Sequence, residues 1–349
     1  MSEHFKPRIT PWYIDDGEFY ELESFDEQMR FLLQYAVLAP SGHNTQPWAF
    51  RTTPEGVEVF ADYSKRLLIV DPQDRELYMS IGAAITNFRV AAAHFGFETT
   101  VLYDRQPEER IPVALITAVE TCGPDENLTT LFRAIRKRHT NRAPFDGEPI
   151  DPSALSRVCD MTERFPDTLR LILPHDKPRV ADMIEEASRM QMARPAFRAE
   201  IADWVFPDDD EHTDGLRADA LGVPPLLTGS ATWFLRQFDS GAWQAPRDRR
   251  LAESAAGLLL VTADDDRVSL LRAGEALELL LLTIADVGLQ YSFLNQPVTV
   301  NEMRERLRTL AGASNSPQLL IRIGTAPPVE HAMPRRPLDR VVGPSSGKG

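Results

Sequence analysis

IGAAITNFRVAAAHFGF, residues 81–97, aligns without a gap on AGEALELLLLTIADVGL, residues 273–289. Both segments are apolar on most of their surface. Both end near a glycine, Gly96 or Gly288, as helices do when the next backbone position is left-handed. A helix that is apolar on most sides has to be buried on more than one side. We therefore predict two central helices that pack together in the middle of the protein.

The segments that follow these two helices extend the likeness. A continuous apolar run, typical of a buried strand, covers residues 111–119 in the first copy and 318–324 in the second. We predict two homologous halves, residues 24–124 and 125–342, each of normal domain size. The boundary lies in the polar, turn-rich stretch at 121–127. The alternative is that two apolar helices with terminal glycines resemble each other by chance.

The remaining patterns predict a mixed α+β fold with helices and strands in each half. Ser24 and Glu27 form a capping-box pattern at the start of an amphipathic helix, and a hairpin is predicted around the turn at 54–56. Further helices are predicted at 74–96, 128–137, 152–164 and 177–193, and strands at 48–52, 57–61, 99–104 and 168–173.

Residues 195–247 fit neither copy of the repeat. This stretch contains an acidic run at 207–211, two adjacent prolines at 224–225 and several tryptophans. It is too aromatic for a disordered linker and too irregular for a repeat unit. We predict a helical insertion that covers another part of the protein.

The overall composition excludes several classes of partner. The chain has 349 residues and a net charge of −14, whereas nucleic acids and anionic membranes require clustered Lys and Arg. The sequence has neither the pattern of an N-terminal leader nor an apolar run long enough to span a membrane. We predict a cytoplasmic protein with no membrane partner and no nucleic-acid partner.

The usual sequence signatures of nucleotide and metal sites are missing. There is no glycine-rich dinucleotide loop after a strand, no Walker loop and no zinc-protease motif. The seven histidines are scattered and are not gathered with carboxylates at ligand spacing, so we predict no metal site.

A loop dense in backbone and amide hydrogen-bonding groups occupies residues 39–48, APSGHNTQPW, between an amphipathic helix and a strand. Such a loop can hold a planar polar ligand. Trp48 begins the following strand, and its bulk favours a place in the core over stacking on a ligand. His43 is interpreted as an exposed loop residue. The alternative is a catalytic acid, a role to which the pKa of histidine is suited.

A basic cluster stands out in this acidic chain at residues 136–142, RKRHTNR. Arg138, Thr140 and Arg142 alternate, so an extended backbone would point all three side chains to one side. Two guanidinium groups and a hydroxyl form a good phosphate clamp. The alternative is that the cluster only complements the dipole at the end of a helix.

These elements together resemble the nitroreductase family, whose members bind FMN across a dimer interface. The loop at 39–48 resembles the family's Pro-Ser-x-x-Asn-x-Gln-Pro-Trp segment. Residues 138–142 resemble its Arg-x-Ser-x-Arg element, with Thr in place of Ser. The proline-flanked pair Arg335 and Arg336 matches the setting of its C-terminal arginine, although a solvated basic tail is the alternative.

The resemblance covers residues 24–342 and points to the Acg-type branch, which has two tandem nitroreductase units. It implies two fused α/β/α sandwich halves that form an intrachain pseudo-dimer. The loop occurs only in the first half and the arginine elements only in the second, so a single FMN site between the halves is implied.

The resemblance also implies which residues contact the flavin. Those assigned to its phosphate are Arg138, Thr140, Arg335 and Arg336. Those assigned to its ring and ribityl chain are Pro40, Ser41, Asn44, Gln46 and Arg142. Residues 291–296 match the place where family members run their backbone past the flavin ring.

The implied activity is that of an FMN-dependent oxidoreductase, which takes a hydride from NAD(P)H and passes it to a small electrophile such as a nitro compound or a quinone. No catalytic triad is needed, because the flavin carries the hydride. The alternatives are a protein that sequesters FMN with little turnover and a pseudoenzyme that lacks FMN. A fused pseudo-dimer need not dimerise, so a monomer is expected, with a homodimer as the alternative.

Overall fold

The first half folds into two helices and a four-stranded sheet. The structure is a computed structural model that describes residues 11–104, 111–123, 125–206, 212–218, 221, 227–329 and 331–345. The main elements of this half are helices α1 (Phe25–Ala36) and α2 (Arg75–His94) and strands β1 (Trp48–Thr53), β2 (Gly56–Ala61), β3 (Phe97–Tyr103) and β4 (Ala114–Glu120). The predicted capping box of Ser24 and Glu27 begins α1. The strands have the order β1-β2-β4-β3, and all neighbours are antiparallel.

The second half contains a second four-stranded sheet and most of the helices. Its helices are α3 (Glu126–Thr130), α4 (Phe132–Ile135), α5 (Pro152–Arg164), α6 (Lys177–Ala193), α7 (Pro195–Asp203), α8 (Thr228–Gln237), α9 (Gly241–Glu253), α10 (Arg267–Asp286), α11 (Gln296–Thr299) and α12 (Asn301–Leu310). Its strands are β5 (Leu169–Leu171), β6 (Val205–Phe206), β7 (Leu216–Arg217), β8 (Gly257–Ala263), β9 (Gln290–Phe293) and β10 (Ser316–Gly324). The main sheet has the order β5-β8-β10-β9 with antiparallel neighbours, whereas β6 and β7 pair in parallel.

The two main sheets repeat one topology. In the first half, the chain passes from β2 through α2 to the edge strand β3 and returns to β4, between β2 and β3. In the second half, it passes from β8 through α10 to the edge strand β9 and returns to β10, between β8 and β9. This repeat agrees with the prediction of two related halves in a mixed helix-and-sheet fold. The predicted boundary between 124 and 125 falls in the connection from β4 to α3 and stays a prediction.

The two central helices pack on each other at glycines. A Cβ atom on Gly82 of α2 would lie 2.0 Å from the carbonyl oxygen of Leu271, and one on Gly274 of α10 would lie 2.1 Å from that of Met79. Each glycine therefore contacts the residue three positions before the other glycine, which is the reciprocity expected about a two-fold axis. Both helices are largely buried, yet no helix within the described ranges is long and apolar enough to cross a membrane.

The C-terminal segment of the chain returns to the first half. Phe50 of β1 donates its N–H to the carbonyl of Val341 at 2.7 Å and accepts the N–H of Gly343 at 2.9 Å. Val342 thereby adds a parallel bridge at the free edge of β1. The indole N–H of Trp12 donates to the carbonyl of Met333 at 2.8 Å. Residues at the end of the second half thus complete the first half in space.

Two predicted elements differ from the observed ones. The helix predicted at 128–137 is divided into α3 and α4 and ends at Ile135. In α3, the hydroxyls of Thr129 and Thr130 donate to carbonyls of the preceding turn, a local bond that competes with regular helix. The strand predicted at 168–173 is reduced to β5, which is an edge strand with β8 as its neighbour. Trp48 is fully buried, which confirms its prediction as a core residue.

The predicted insertion at 195–247 contains α7, α8, the start of α9 and the short strands β6 and β7. Its acidic run at 207–211 and its prolines at 224–225 lie outside the described residues. Phe197 packs on Leu67 and Val70 of the first half. The Glu200 carboxylate accepts the backbone N–H of Val70 at 2.7 Å. The described residues of this stretch therefore cover a surface of the first half.

Candidate functional site

A cavity of about 530 Å³ is bounded by both halves and by the insertion. Its first-half lining comes from the loop before β1 and from the start of α2, and its second-half lining comes from the basic cluster, α10 and the residues after β9. The insertion supplies α7, α8 and part of α9. Of the nine predicted flavin contacts, four line this cavity: Pro40, Ser41, Thr140 and Arg142.

The loop before β1 has an unusual backbone. His43, Asn44 and Gln46 have φ angles of 48°, 57° and 53°, in the left-handed region that non-glycine residues seldom adopt. The Ser41 hydroxyl accepts the N–H of Gln46 at 2.9 Å and so closes the loop. Backbone conformations of this kind cost about 1–3 kcal/mol each and persist where the surroundings hold them.

The side chains of Asn44 and Gln46 supply that support and do not line the cavity. Asn44 Nδ2 donates to the carbonyl of Gly215 at 2.9 Å and to that of Pro334 at 3.1 Å. Gln46 Nε2 donates to the carbonyl of Thr213 at 2.8 Å. Both amides are buried, so they fasten the loop to the insertion and to the C-terminal segment. Their predicted contacts with a flavin stay a prediction.

His43 is half-buried and lines the cavity, so its interpretation as an exposed loop residue was wrong. The left-handed backbone at this position places it in the wall of the cavity beside the first-half loop. Burial and, second, the charge of Arg142 lower the pKa of His43 to about 4. A neutral imidazole at neutral pH is thus a hydrogen-bonding group of the cavity wall.

Two of the three alternating residues of the basic cluster, Arg138 and Thr140, contact the hydroxyl of Tyr291 in β9. Residue 140 forms a parallel bridge with Tyr291, and the N–H of Asn141 donates to the carbonyl of Tyr291 at 2.9 Å. The backbone is therefore extended here, as the alternation predicted. Arg138 Nη1 donates to the Tyr291 hydroxyl, and the Thr140 hydroxyl lies 3.5 Å from it.

Arg138 does not reach the cavity. Its side chain is 1% exposed, and its Nε atom lies 3.2 Å from Oε1 of Glu278, a fully buried carboxyl of α10. Its Nη2 atom donates to the carbonyl of Leu38 at the end of α1, at 2.8 Å. Burial raises the pKa of Glu278 to about 7, and the charge of Arg138 partly opposes that increase. This arginine joins the two halves beneath the loop, and its predicted phosphate contact stays a prediction.

Arg142 differs from the other predicted arginines in having no partner. Its guanidinium lines the cavity and is half-buried, and within the described part of the chain it makes no hydrogen bond or ion pair. Burial lowers the pKa of Arg142, which reflects the cost of holding this charge away from water. A cation in this position is a ready binding group for an anionic ligand.

Arg335 and Arg336 contact the first-half loop and not the cavity. Arg335 is 5% exposed, and its Nη1 atom donates to Asn44 Oδ1 at 2.8 Å. The N–H of Arg336 donates to Gln46 Oε1 at 2.7 Å, and its Nη1 atom is 3.1 Å from the carboxylate of Asp62. The pair therefore locks the loop in place, and its predicted contacts with a phosphate stay a prediction.

Sequence reasoning missed Glu76, which lies in the first turn of α2 and lines the cavity. Asn295, which follows β9, donates to Glu76 Oε1 at 3.0 Å. A Cβ atom on Gly42 would lie 2.7 Å from Oε2, so the carboxyl rests on the loop. Burial and the charge of Asp71 raise the pKa of Glu76 to about 7. An acidic residue at a helix start is ordinary, and the sequence held no further signal for this one.

Sequence reasoning also missed the cavity residues of α9, among them Arg247 and Asp248. The sequence 247–250, RDRR, reads as a solvated helix face. Arg247 and Asp248 face inward because α9 packs on α6 and borders the cavity, whereas Arg250 is exposed. The sequence alone does not distinguish these positions.

Comparison with known proteins gives relatives along most of the chain. "Putative NAD(P)H nitroreductase Rv3131" of Mycobacterium tuberculosis is 31% identical over 325 residues, which are 90% of this chain and 91% of the relative. "Putative NAD(P)H nitroreductase acg" of the same organism is 31% identical over 318 residues, covering 88% and 93%. No protein-family model matches the sequence.

Two solved structures have low similarity to the fold. One, a nitroreductase described as putative, is from Anabaena variabilis. It has 11% identity and a TM-score of 0.45, and the match covers 90% of this chain and 92% of that one. The other is the FMN-dependent nitroreductase NfnB from Mycobacterium smegmatis in complex with NADPH. It has 16% identity and a TM-score of 0.38, with 60% and 96% covered. At these TM-scores, neither structure adds to the assignment.

Proposed function

The chain belongs to the nitroreductase family, and from this premise we propose that it is an FMN-dependent oxidoreductase. The flavin is proposed to lie in the cavity bounded by the two halves, with NAD(P)H as hydride donor and a small electrophile, such as a nitro compound or a quinone, as acceptor. When bound, FMN supplies the atom that accepts and donates the hydride. We also propose that the protein acts as a monomer, because both walls of the site come from one chain.

The observation that carries this proposal is the unpartnered guanidinium of Arg142 in the cavity wall. A partly buried charge without a counter-charge costs several kcal/mol, and an anionic ligand would offset this cost. FMN has an anionic phosphate at one end and a ring that becomes anionic on reduction at the other. The residues present therefore fit the group, and Arg142 would hold one of its negative ends.

Other residues have roles that follow from their positions. Thr140 and Ser41 offer hydroxyls at the cavity wall, and Pro40 offers an apolar surface for the ring. Arg138 and Arg335 are proposed to act indirectly, since both are buried beneath the loop and donate to the carbonyl of Leu38. They hold the loop in the position from which it would bind the flavin. The mostly apolar lining from the insertion would exclude water from the ring.

A second candidate function is FMN sequestration with little turnover. It is favoured by the insertion, which forms one wall of the cavity with Phe197, Phe234 and Trp243 among its lining residues. A wall of this kind would hinder the alternate access of a nicotinamide donor and an acceptor to one flavin face. Hydride transfer requires that the insertion lets a nicotinamide reach the flavin, whereas sequestration does not. Reduction by a nicotinamide therefore distinguishes the two functions.

The visible spectrum of the purified protein distinguishes the two candidates. We expect a yellow protein that bleaches when NADPH or NADH is added without oxygen. A yellow protein that both nicotinamides leave oxidised would support sequestration and contradict the oxidoreductase. A colourless protein that takes up no added FMN would contradict both.

The role of Arg142 is tested by flavin affinity. We expect Arg142→Gln to weaken FMN binding to the flavin-free protein about tenfold or more, because one charge-assisted contact is lost, whereas Arg142→Lys should retain part of the affinity. Fluorescence quenching of FMN measures both. Arg133→Gln removes an exposed arginine of α4 and serves as the control. Unchanged affinity in Arg142→Gln would show that the flavin is held elsewhere.

A further inference from the structure

A second cation lines the cavity on the side of the insertion. Arg247 belongs to α9, is half-buried, and faces the cavity. Within the described ranges its guanidinium makes no hydrogen bond or ion pair. Its neighbours in the same helix behave differently: Arg249 pairs with Glu185 and Glu253, and Arg250 is exposed. Arg247 is therefore an inward cation without a partner in a chain whose net charge is −14.

A third guanidinium lies behind Arg247. Arg322 of β10 is fully buried, and its Nη2 atom donates to the carbonyls of Asn141 at 3.1 Å and Ala143 at 2.8 Å. Its Nε and Nη1 atoms have no hydrogen-bond partner among the described residues, and its guanidinium carbon lies 4.0 Å from the centre of the Phe145 ring. Burial and then the charge of Arg247 lower the pKa of Arg322 to about 10, so the two cations lie close enough to repel each other. Two like charges are held close together here, and the charge of Asp248 only partly offsets the decrease in the pKa of Arg322.

One carboxyl lies next to these cations, and neutral donors already engage it. Asp248 is buried, and its carboxylate accepts the hydroxyl of Ser188 at 2.7 Å and the amide of Gln244 at 2.9 Å. Burial raises the pKa of Asp248, and its hydrogen bonds to Ser188 and Gln244 oppose that increase. Two guanidinium groups thus lie beside a single carboxyl. The cavity wall therefore keeps an excess of positive charge near Arg247.

We propose that Arg247 forms an anion subsite that binds a phosphate monoester, with Arg322 fixed behind it to strengthen the positive potential. A guanidinium with free N–H groups suits phosphate oxygens, and a dianion satisfies two neighbouring cations better than a monoanion does. Arg247 reaches the cavity from the insertion and Arg142 from the basic cluster, so the two cations line it from different elements. The natural source of the phosphate rests on the proposed function: it is either the 5′-phosphate of FMN or the 2′-phosphate of NADPH.

The test compares ligand pairs that differ by one phosphate monoester. The flavin-free chain is titrated with FMN and with riboflavin, and the flavin-loaded chain with NADP⁺ and with NAD⁺. We expect Arg247→Gln to lose about tenfold in affinity for the phosphate-bearing member of one pair and to leave the other member unchanged. A loss for FMN identifies the flavin as the source, and a loss for NADP⁺ identifies the dinucleotide.

Arg250→Gln is the matched control, because it removes an exposed arginine from the same helix and should change no affinity. The subsite is overturned if Arg247→Gln leaves all four affinities intact or weakens both members of each affected pair equally. If the wild-type chain binds none of the four ligands, the proposed function is wrong. The anion subsite is then tested separately with inorganic phosphate. A thermal shift with phosphate at constant ionic strength that disappears in Arg247→Gln then supports it, and its absence from the wild type overturns it.

Discussion

The loop before β1 shows that an amide side chain can either contact a ligand or support the loop itself. Its amides, Asn44 and Gln46, were predicted to contact a flavin, and the structure places them in bonds to backbone carbonyls of the insertion and the C-terminal segment. These carbonyls lie more than 160 positions away, at Thr213, Gly215 and Pro334. Local sequence contains no signal for such partners. It could show that the loop is rich in hydrogen-bonding groups but not where those groups would point.

Glu76 gives a test at the level of a single carboxyl. Its pKa in the folded protein is about 7, above its ordinary value of 4.5, because burial and Asp71 disfavour the charge. A raised carboxyl pKa contributes stability below about pH 4.5, and this contribution is lost as the pH rises through about 7. Glu76→Gln resembles the protonated form and cannot ionise. We therefore expect the melting temperature of the variant minus that of the wild type to increase with pH across this interval and to be constant above it.

Melting curves of the wild type and the variant from pH 4 to 9 measure this difference in melting temperature. Glu163→Gln, at an exposed position of α5, is the control variant. A difference for Glu76→Gln that is constant with pH would mean that the pKa of Glu76 is the same in the folded and unfolded states, which contradicts the effect of burial. The same substitution keeps the oxygen that accepts from Asn295, so loss of that bond is not a competing explanation.

At the level of elements, long periodic patterns were predicted well and short irregular ones were not. Helices α2, α5 and α6 lie within two residues of their predicted ends, and so does the hairpin of β1 and β2. Their apolar periodicity matches the face that each buries. The helix predicted after residue 128 breaks into α3 and α4, and β6 and β7 have two residues each. Elements this short depend on tertiary contacts, which no local pattern records.

The contact between α2 and α10 gives a test at the level of elements. A methyl group on Gly82 would meet the Leu271 carbonyl at 2.0 Å, so Gly82→Ala should force the central helices apart. We expect a loss of about 3 kcal/mol in the free energy of unfolding, measured in urea, which exceeds the small gain that alanine gives in helix propensity. Gly229→Ala in α8 is the control, because no atom lies near its added methyl group. A stability of Gly82→Ala equal to that of the wild type would contradict this packing.

Across the whole molecule, the two halves are joined at a buried polar junction as well as at the central helices. Arg138 of the second half and Arg335 of the C-terminal segment both donate to the carbonyl of Leu38, at 2.8 and 3.0 Å. Glu278 of α10 faces both cations. With its amide in the orientation that satisfies both groups, Asn87 of α2 donates to Glu278 at 3.0 Å and accepts the N–H at residue 39. Two of the arginines that the sequence predicted as phosphate contacts, Arg138 and Arg335, thus form a junction between the halves, and their contact with a phosphate stays a prediction.

This junction gives a test at the scale of the whole molecule. Arg335 Nη1 and Asn44 Oδ1 are 2.8 Å apart, and the bond ties the last segment of the chain to the first-half loop. We expect Arg335→Gln to lower the free energy of unfolding by about 2–4 kcal/mol, because it removes one of the two donors to the Leu38 carbonyl and leaves Asn44 Oδ1 without its donor. In a double-mutant cycle with Asn44→Ala, the double variant should lose about 1 kcal/mol less stability than the sum of the two single losses. Arg340→Gln, exposed in the same segment, should change neither value. Additive losses would mean that the C-terminal segment stabilises the loop through other contacts.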